Sequence, residues 1–128
     1  MTPAQLRQYL LSKPEAIEDF PFGPEAAVYK IRGKMFALTG HFLGGDAVNL
    51  KCDPHQALAL RDIFSAVKPA YHMNKLHWNT LLLDGTVPTG EIERMVDSSY
   101  ALVVAGLKKK DREAIKAKYG IGVRQGGN

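Results

Sequence analysis

A chain of 128 residues, 45% hydrophobic and 23% charged, fits one domain able to bury a core without disulfides. Its single cysteine, Cys52, excludes an internal disulfide and suits a reducing cytosol. The net charge of +4 is uneven: residues 107 to 128 carry +5 and residues 1 to 106 carry −1, so phosphate contact would need the C-terminal segment or a local patch.

No apolar run approaches the roughly 18 residues a membrane span requires. The start, MTPAQLRQYL, lacks the basic-then-apolar layout of a signal peptide, and the expectation is a soluble, cytoplasmic monomer. Thr2-Pro3-Ala4-Gln5 has the form of a helix start, with a threonine cap, proline in the first turn and a glutamine placed to close a capping box. Leu6, Tyr9 and Leu10 form its apolar face, and the helix should end near Lys13-Pro14. The stretch 15–25 gathers four carboxylates among Phe20, Pro21, Phe22 and Pro24. Without regular ligand spacing it reads as a short edge strand and a turn rather than a metal site.

From Ala26 to Gly40 two strand-like runs meet at Arg32-Gly33, a tight hairpin. Alternation puts Val28, Lys30 and Arg32 on one side, so Lys30, Arg32 and Lys34 share a solvent-facing region. The turn Leu43-Gly44-Gly45-Asp46 leads to a further strand over 47–51 and completes a meander. Asp53 and Pro54 then open a helix on which Leu60, Ile63, Phe64 and Val67 should face the sheet, before Lys68-Pro69 breaks it. Cys52, at a strand end with Lys51 as its one cationic neighbour, reads as a structural thiol.

The run AYHMNKLHWNTLLLDG, residues 70–85, joins a polar-aromatic cluster to a strand that stops at Asp84-Gly85. A helix follows from about Glu91 to Gly106, with Ile92, Met95, Val96, Ser99 and Val103 inward. Ser98 and Ser99, within that helix, should bond to a carbonyl one turn earlier. Lys108-Lys109-Lys110 precedes a short basic helix capped by Asp111 and ended by Gly120, leaving a glycine-rich, mobile tail over 120–128.

His72 and His77, five residues apart with no acidic or cysteine ligand between them, do not form a metal pair. Asn74 and Lys75 look like a turn, so Tyr71, His72, Lys75, His77 and Trp78 can converge on one rim, where lysine and histidine meet phosphate and an aromatic ring stacks on a base. The competing arrangement puts Trp78 in the core and His72 on backbone. No nucleophile elbow, zinc-histidine pair or phosphate loop supports a catalytic role.

Tyr71-His72-Met73-Asn74-Lys75, His77-Trp78 and the helix 92–107 with Asp97, Ser98, Ser99 and Tyr100 together resemble the MmcQ/YjbR-like family of small bacterial proteins. The first helix, the Phe20–Gly23 region and the Lys34–Leu38 strand also fit, so the likeness extends to about Tyr119 and makes residues 1–119 one domain. The resemblance implies an α+β two-layer sandwich, an antiparallel sheet with helices on one face, similar to the bacterial frataxin fold, and the DNA-binding designation used for the family. Frataxin-like iron binding is not implied, because residues 2–13 hold no Asp or Glu. The expected function is weak, salt-sensitive DNA binding without catalysis or cofactor. Lys30, Arg32, Lys34, Lys51 and Lys75 would contact phosphate, Lys108, Lys109 and Lys110 would assist, and Tyr71, His72 or His77 would add base or sugar contacts. The alternative is a protein- or small-ligand-binding domain.

Overall fold

The computed structural model describes residues 1–120 of the chain. The remainder of the expected tail, 121–128, lies outside the described residues. Helix α1 (Pro3–Leu11) starts as its sequence demands. The Thr2 hydroxyl accepts the Gln5 N–H at 3.1 Å, and the Gln5 side chain accepts the Thr2 N–H at 2.9 Å. Leu6 and Leu10 are buried beneath it.

Strands β1 (Ile17–Asp19), β2 (Ala27–Ile31), β3 (Lys34–Phe42) and β4 (Gly45–Lys51) form an antiparallel meander. Both of its tight turns need left-handed backbone at two successive positions. Arg32 and Gly33 adopt φ of 50° and 81°, and Leu43 and Gly44 adopt 54° and 84°. Glycine supplies the second position of each at no steric cost. The β1 segment is the short edge strand that the acidic stretch predicts.

Helix α2 (Pro54–Ile63) is capped by Asp53, whose carboxylate accepts the N–H groups of His55 and Gln56 at 3.1 and 3.3 Å. It ends earlier than the apolar spacing suggests. Phe64 is already extended and Ile63 is exposed. Val67, expected on the helix, instead opens an edge strand, β5 (Val67–Pro69). Pairing with β6 (Trp78–Leu82) gives this segment its backbone partners, and Pro69 sits at a sheet edge, where a missing N–H is tolerated.

The sheet has the order β1-β2-β3-β4-β6-β5, antiparallel throughout. Helices α3 (Thr89–Ala105), α1 and α2 close over one face, burying Tyr29, Phe36, Val48, Leu50 and Leu81 in the principal core. The expected α+β sandwich is therefore present. The Phe36 and Tyr100 rings meet edge-on with centroids 5.3 Å apart. Ser99 departs from its expected bond along the helix. Its hydroxyl donates to the Phe36 carbonyl at 2.6 Å and accepts the Lys51 N–H at 2.9 Å, tying α3 to two strands at once. Helix α4 (Lys109–Tyr119) has Lys108 rather than Asp111 at its cap, and Gly120 ends it at φ +70°. Among the described residues no helix is long and apolar enough to cross a membrane.

Candidate nucleic-acid interface

Antiparallel pairing brings several distant segments to one end of the sheet. The Arg32-Gly33 turn, the end of β4 at Lys51 and the start of β6 at Trp78 all lie there, with the 71–77 connection between β5 and β6. Strand alternation then decides which side chains face away from the helices. Starting from Val28, Asn49 and Thr80, which share one cross-sheet row, that open face also receives Lys30, Lys51, Lys68 and Trp78. Asp19 is the acidic residue among its strand positions.

The centre of the open face is polar yet buried. The Thr80 hydroxyl donates to Asn49 Oδ1 at 2.6 Å, and Asn49 Nδ2 donates to the Met73 sulfur at 3.3 Å. Met73 thereby draws the 71–77 connection over the sheet. That connection is held by its own backbone: the Asn74 carbonyl accepts from His77 N–H at 3.1 Å and Trp78 N–H at 2.9 Å, while the His77 carbonyl accepts the Cys52 N–H at 2.7 Å. Arg61 ties it to α2, donating from Nε to Asn79 Oδ1 at 2.7 Å and from the guanidinium to the Lys75 carbonyl. On this frame Tyr71, His72 and Lys75 are exposed, whereas His77 and Trp78 are half-buried. Lys75 Nζ stands 5.6 Å from the Tyr71 ring centroid, close enough for a cation–π contact.

The cations named by the sequence do not all remain available. Arg32 donates from Nε to Glu15 at 2.7 Å and from NH1 to Asp111 at 3.2 Å, so it clamps the hairpin to α4 and to the segment after α1 rather than facing solvent alone. Lys30 approaches Asp19 at 3.3 Å. Lys34, Lys108, Lys109 and Lys110 are exposed, and the Arg32–Asp111 pair sets α4 beside the hairpin that carries Lys34. Lys51, Lys68 and Lys75 enter none of the ion pairs among the described residues. Lys68 is hidden in the sequence by the helical apolar spacing that runs from Leu60 up to Val67. Its signal was the β-branched Val67 followed by Lys68-Pro69, a short alternating run able to pair with 79–81.

Other chemistries find less support in these residues. Cys52 is buried, and burial is the main reason its thiol is pushed up to about 11. The four carboxylates of the acidic stretch do not converge: Glu15 pairs with Arg32, Glu18 with Arg7 at 2.8 Å and Asp19 with Lys30. No group of three His, Cys, Asp or Glu side chains suited to a metal occurs among the described residues.

Comparison with known proteins agrees with this architecture. The family model described as YjbR matches residues 11–102. An Escherichia coli K12 protein named "Uncharacterized protein YjbR" is 36% identical over 115 residues, covering 90% of this chain and 98% of the relative. "Uncharacterized protein YbdF" of Escherichia coli O157:H7 is 38% identical over 97 residues, covering 76% and 80%. Among solved structures, a Deinococcus radiodurans protein with the domain DUF419 superposes with a TM-score of 0.83 at 34% identity, covering 99% of this chain and 94% of the other. A Pseudomonas syringae protein gives 0.71 at 31% identity, covering 80% and 98%. With a family match over most of its length and relatives aligned nearly end to end, the chain belongs to the YjbR family.

Proposed function

We propose that this protein binds nucleic acid, with DNA as the first candidate, through the open face of its sheet and the adjoining 71–77 connection. One observation carries this reading: the charged strand positions on that face are Lys30, Lys51 and Lys68 against a single Asp19, which Lys30 already engages. Lys30 and Lys51 lie two strands apart, on the order of 10 Å at the usual strand spacing. A row of that kind meets a phosphate backbone at several points. Lys75 extends it onto the connection, and the exposed Tyr71 and His72 stand beside it for sugar or base contacts. Arg32, spent on Glu15 and Asp111, drops out of the binding set.

The expected binding is weak, driven by counterion release and largely indifferent to sequence. Anisotropy titrations of labelled single- and double-stranded DNA at two salt concentrations test it. The combined Lys51→Glu, Lys68→Glu and Lys75→Glu variant should lose at least about tenfold in affinity at low salt. Its log–log salt slope should fall by roughly two to three, as expected for three lost phosphate contacts. Unchanged affinity and slope in a folded variant would discard the open face as the binding surface. Loss confined instead to a Lys109→Glu, Lys110→Glu variant would move the contact to α4.

A further inference from the structure

On the opposite side of the sheet, α3 packs on β2, β3 and β4, while α2 packs on β5 and β6. The two helices therefore part over the junction of β4 and β6. The seam between them is not filled. A cavity of about 60 Å³ lies there, floored by Leu50, Leu60, Val67 and Leu81 and flanked by Met95. Asn79 also borders it, its amide already bonded to Arg61 and to the Ala57 carbonyl, as does Lys51, whose side chain alternates to the open face. A water needs roughly 10–15 Å³ of such space, so there is room for several, yet an apolar floor offers them few partners. Close packing would put a large side chain here. Two of the residues that reach the seam, Cys52 just after β4 and Ser98 on α3, are small and leave it open between the larger Leu50 and Met95.

The mouth of the cavity differs from its floor. Gln56 and Ser98 are exposed there, one from each helix. Glu91 and Arg94 line it too, and they neutralise one another through a contact of 2.5 Å. An apolar floor selects a hydrocarbon body, the volume, well under the roughly 150 Å³ of a cavity that holds benzene, limits the enclosed part to a short branched end, and a self-neutralised rim gives no net attraction to a charged head. We propose that the α2–α3 seam is a binding site for a small uncharged molecule with an apolar body of about four or five carbons, its branched end enclosed, and one hydrogen-bonding group at the mouth directed at Gln56 and Ser98. The Glu91–Arg94 pair closes the entrance as a movable rim, since the Arg94 side chain is 70% exposed.

Methyl-resolved NMR on the whole chain tests the site with 3-methylbutanol as the probe and 3-methylbutyrate as its charged counterpart. Saturable shifts in the Leu60, Val67, Leu81 and Met95 methyls are expected with the alcohol, at an affinity at least about fivefold above that of the carboxylate. Ser98→Leu, which fills the seam from an exposed helical position, should weaken the alcohol at least tenfold. In the unmodified protein, saturating alcohol should also slow alkylation of Cys52, the chain's one thiol, by severalfold. Unsaturable shifts scattered over the surface would overturn the proposal, as would undiminished binding by Ser98→Leu. Equal or tighter binding of the carboxylate would overturn the assigned ligand class. Should Ser98→Leu fail to fold, the unchanged protein decides: Cys52 protection upholds the site, and its absence at saturation removes it.

Discussion

The two faces of this sheet are built from the same strands, residue by residue in alternation, and they solve opposite problems. The helix-covered face is closed mainly by apolar side chains, with Ser99 and Asn79 supplying the polar links to α3 and α2 that apolar packing cannot. The open face keeps a small buried polar pair, Asn49 and Thr80, surrounded by lysines. Covering therefore decides the use of a strand position more than composition does. A lysine on one face would be an unpaired buried charge; one residue along, it is a solvated cation free to meet a partner.

The comparison can be broken first where packing is densest. Phe36→Ala removes a fully buried ring from its edge-on contact with Tyr100 and should cost about 3–5 kcal/mol, read as a shift in urea midpoint with unchanged slope. Ser99→Ala deprives the Phe36 carbonyl and the Lys51 N–H of their shared partner and should cost about 1–3 kcal/mol. On the open face, Asn49→Ala leaves the Thr80 hydroxyl without its acceptor, at a similar cost of about 1–3 kcal/mol. The double change Asn49→Leu with Thr80→Val should recover most of that, since neither polar group then remains. Simple additivity of the single changes Asn49→Leu and Thr80→Val in the double variant would contradict the coupling.

Smaller effects sharpen the boundary between the faces. The Arg7 guanidinium, bonded to both Glu18 oxygens at 2.8 Å, holds the Glu18 carboxyl below its ordinary value near 4.5, helped by the Tyr29 hydroxyl at 2.7 Å and opposed by burial. A lowered carboxyl stabilises the fold above its ordinary range and loses that contribution as pH falls through the folded value. Glu18→Gln should accordingly flatten the loss of stability below about pH 4.5 in thermal melts at a series of pH values. An acid limb as steep as that of the unmodified chain would assign it elsewhere. Least of all should Lys51→Glu or Lys68→Glu alter stability, within about 0.5 kcal/mol, even though they sit on the proposed binding row.

Much of the fold could be read from local signals because local chemistry decided it. Thr2, Asp53 and Gly120 mark helix ends through bonds and backbone angles confined to a few residues. The two turns carry glycine where positive φ is required. Features decided across long sequence separations were harder to see. Val67 continues a helical apolar spacing, and only the availability of β6 as a pairing partner turns it into a strand. Ser99 looks like any helix-interior serine until strands β3 and β4 part beside it. Of the proposed site, Lys51 and Lys75 were legible from their neighbours. Lys68 depended on an edge strand hidden by that spacing, and Arg32 looked free because Glu15 and Asp111 are far away in sequence.

The strand order has a dynamic consequence. β5 precedes β6 in the chain but lies outside it, so these two strands and their connection dock onto β4 as a hairpin, along the single seam from Lys51–Trp78 to Ala47–Leu82. Such a unit can detach without disturbing the pairing from β1 to β4. In native-state hydrogen exchange, the amides of Val67, Lys68 and Trp78–Leu82 should then open together at lower free energy than those of β3, exposing the Asn49–Thr80 pair as they go.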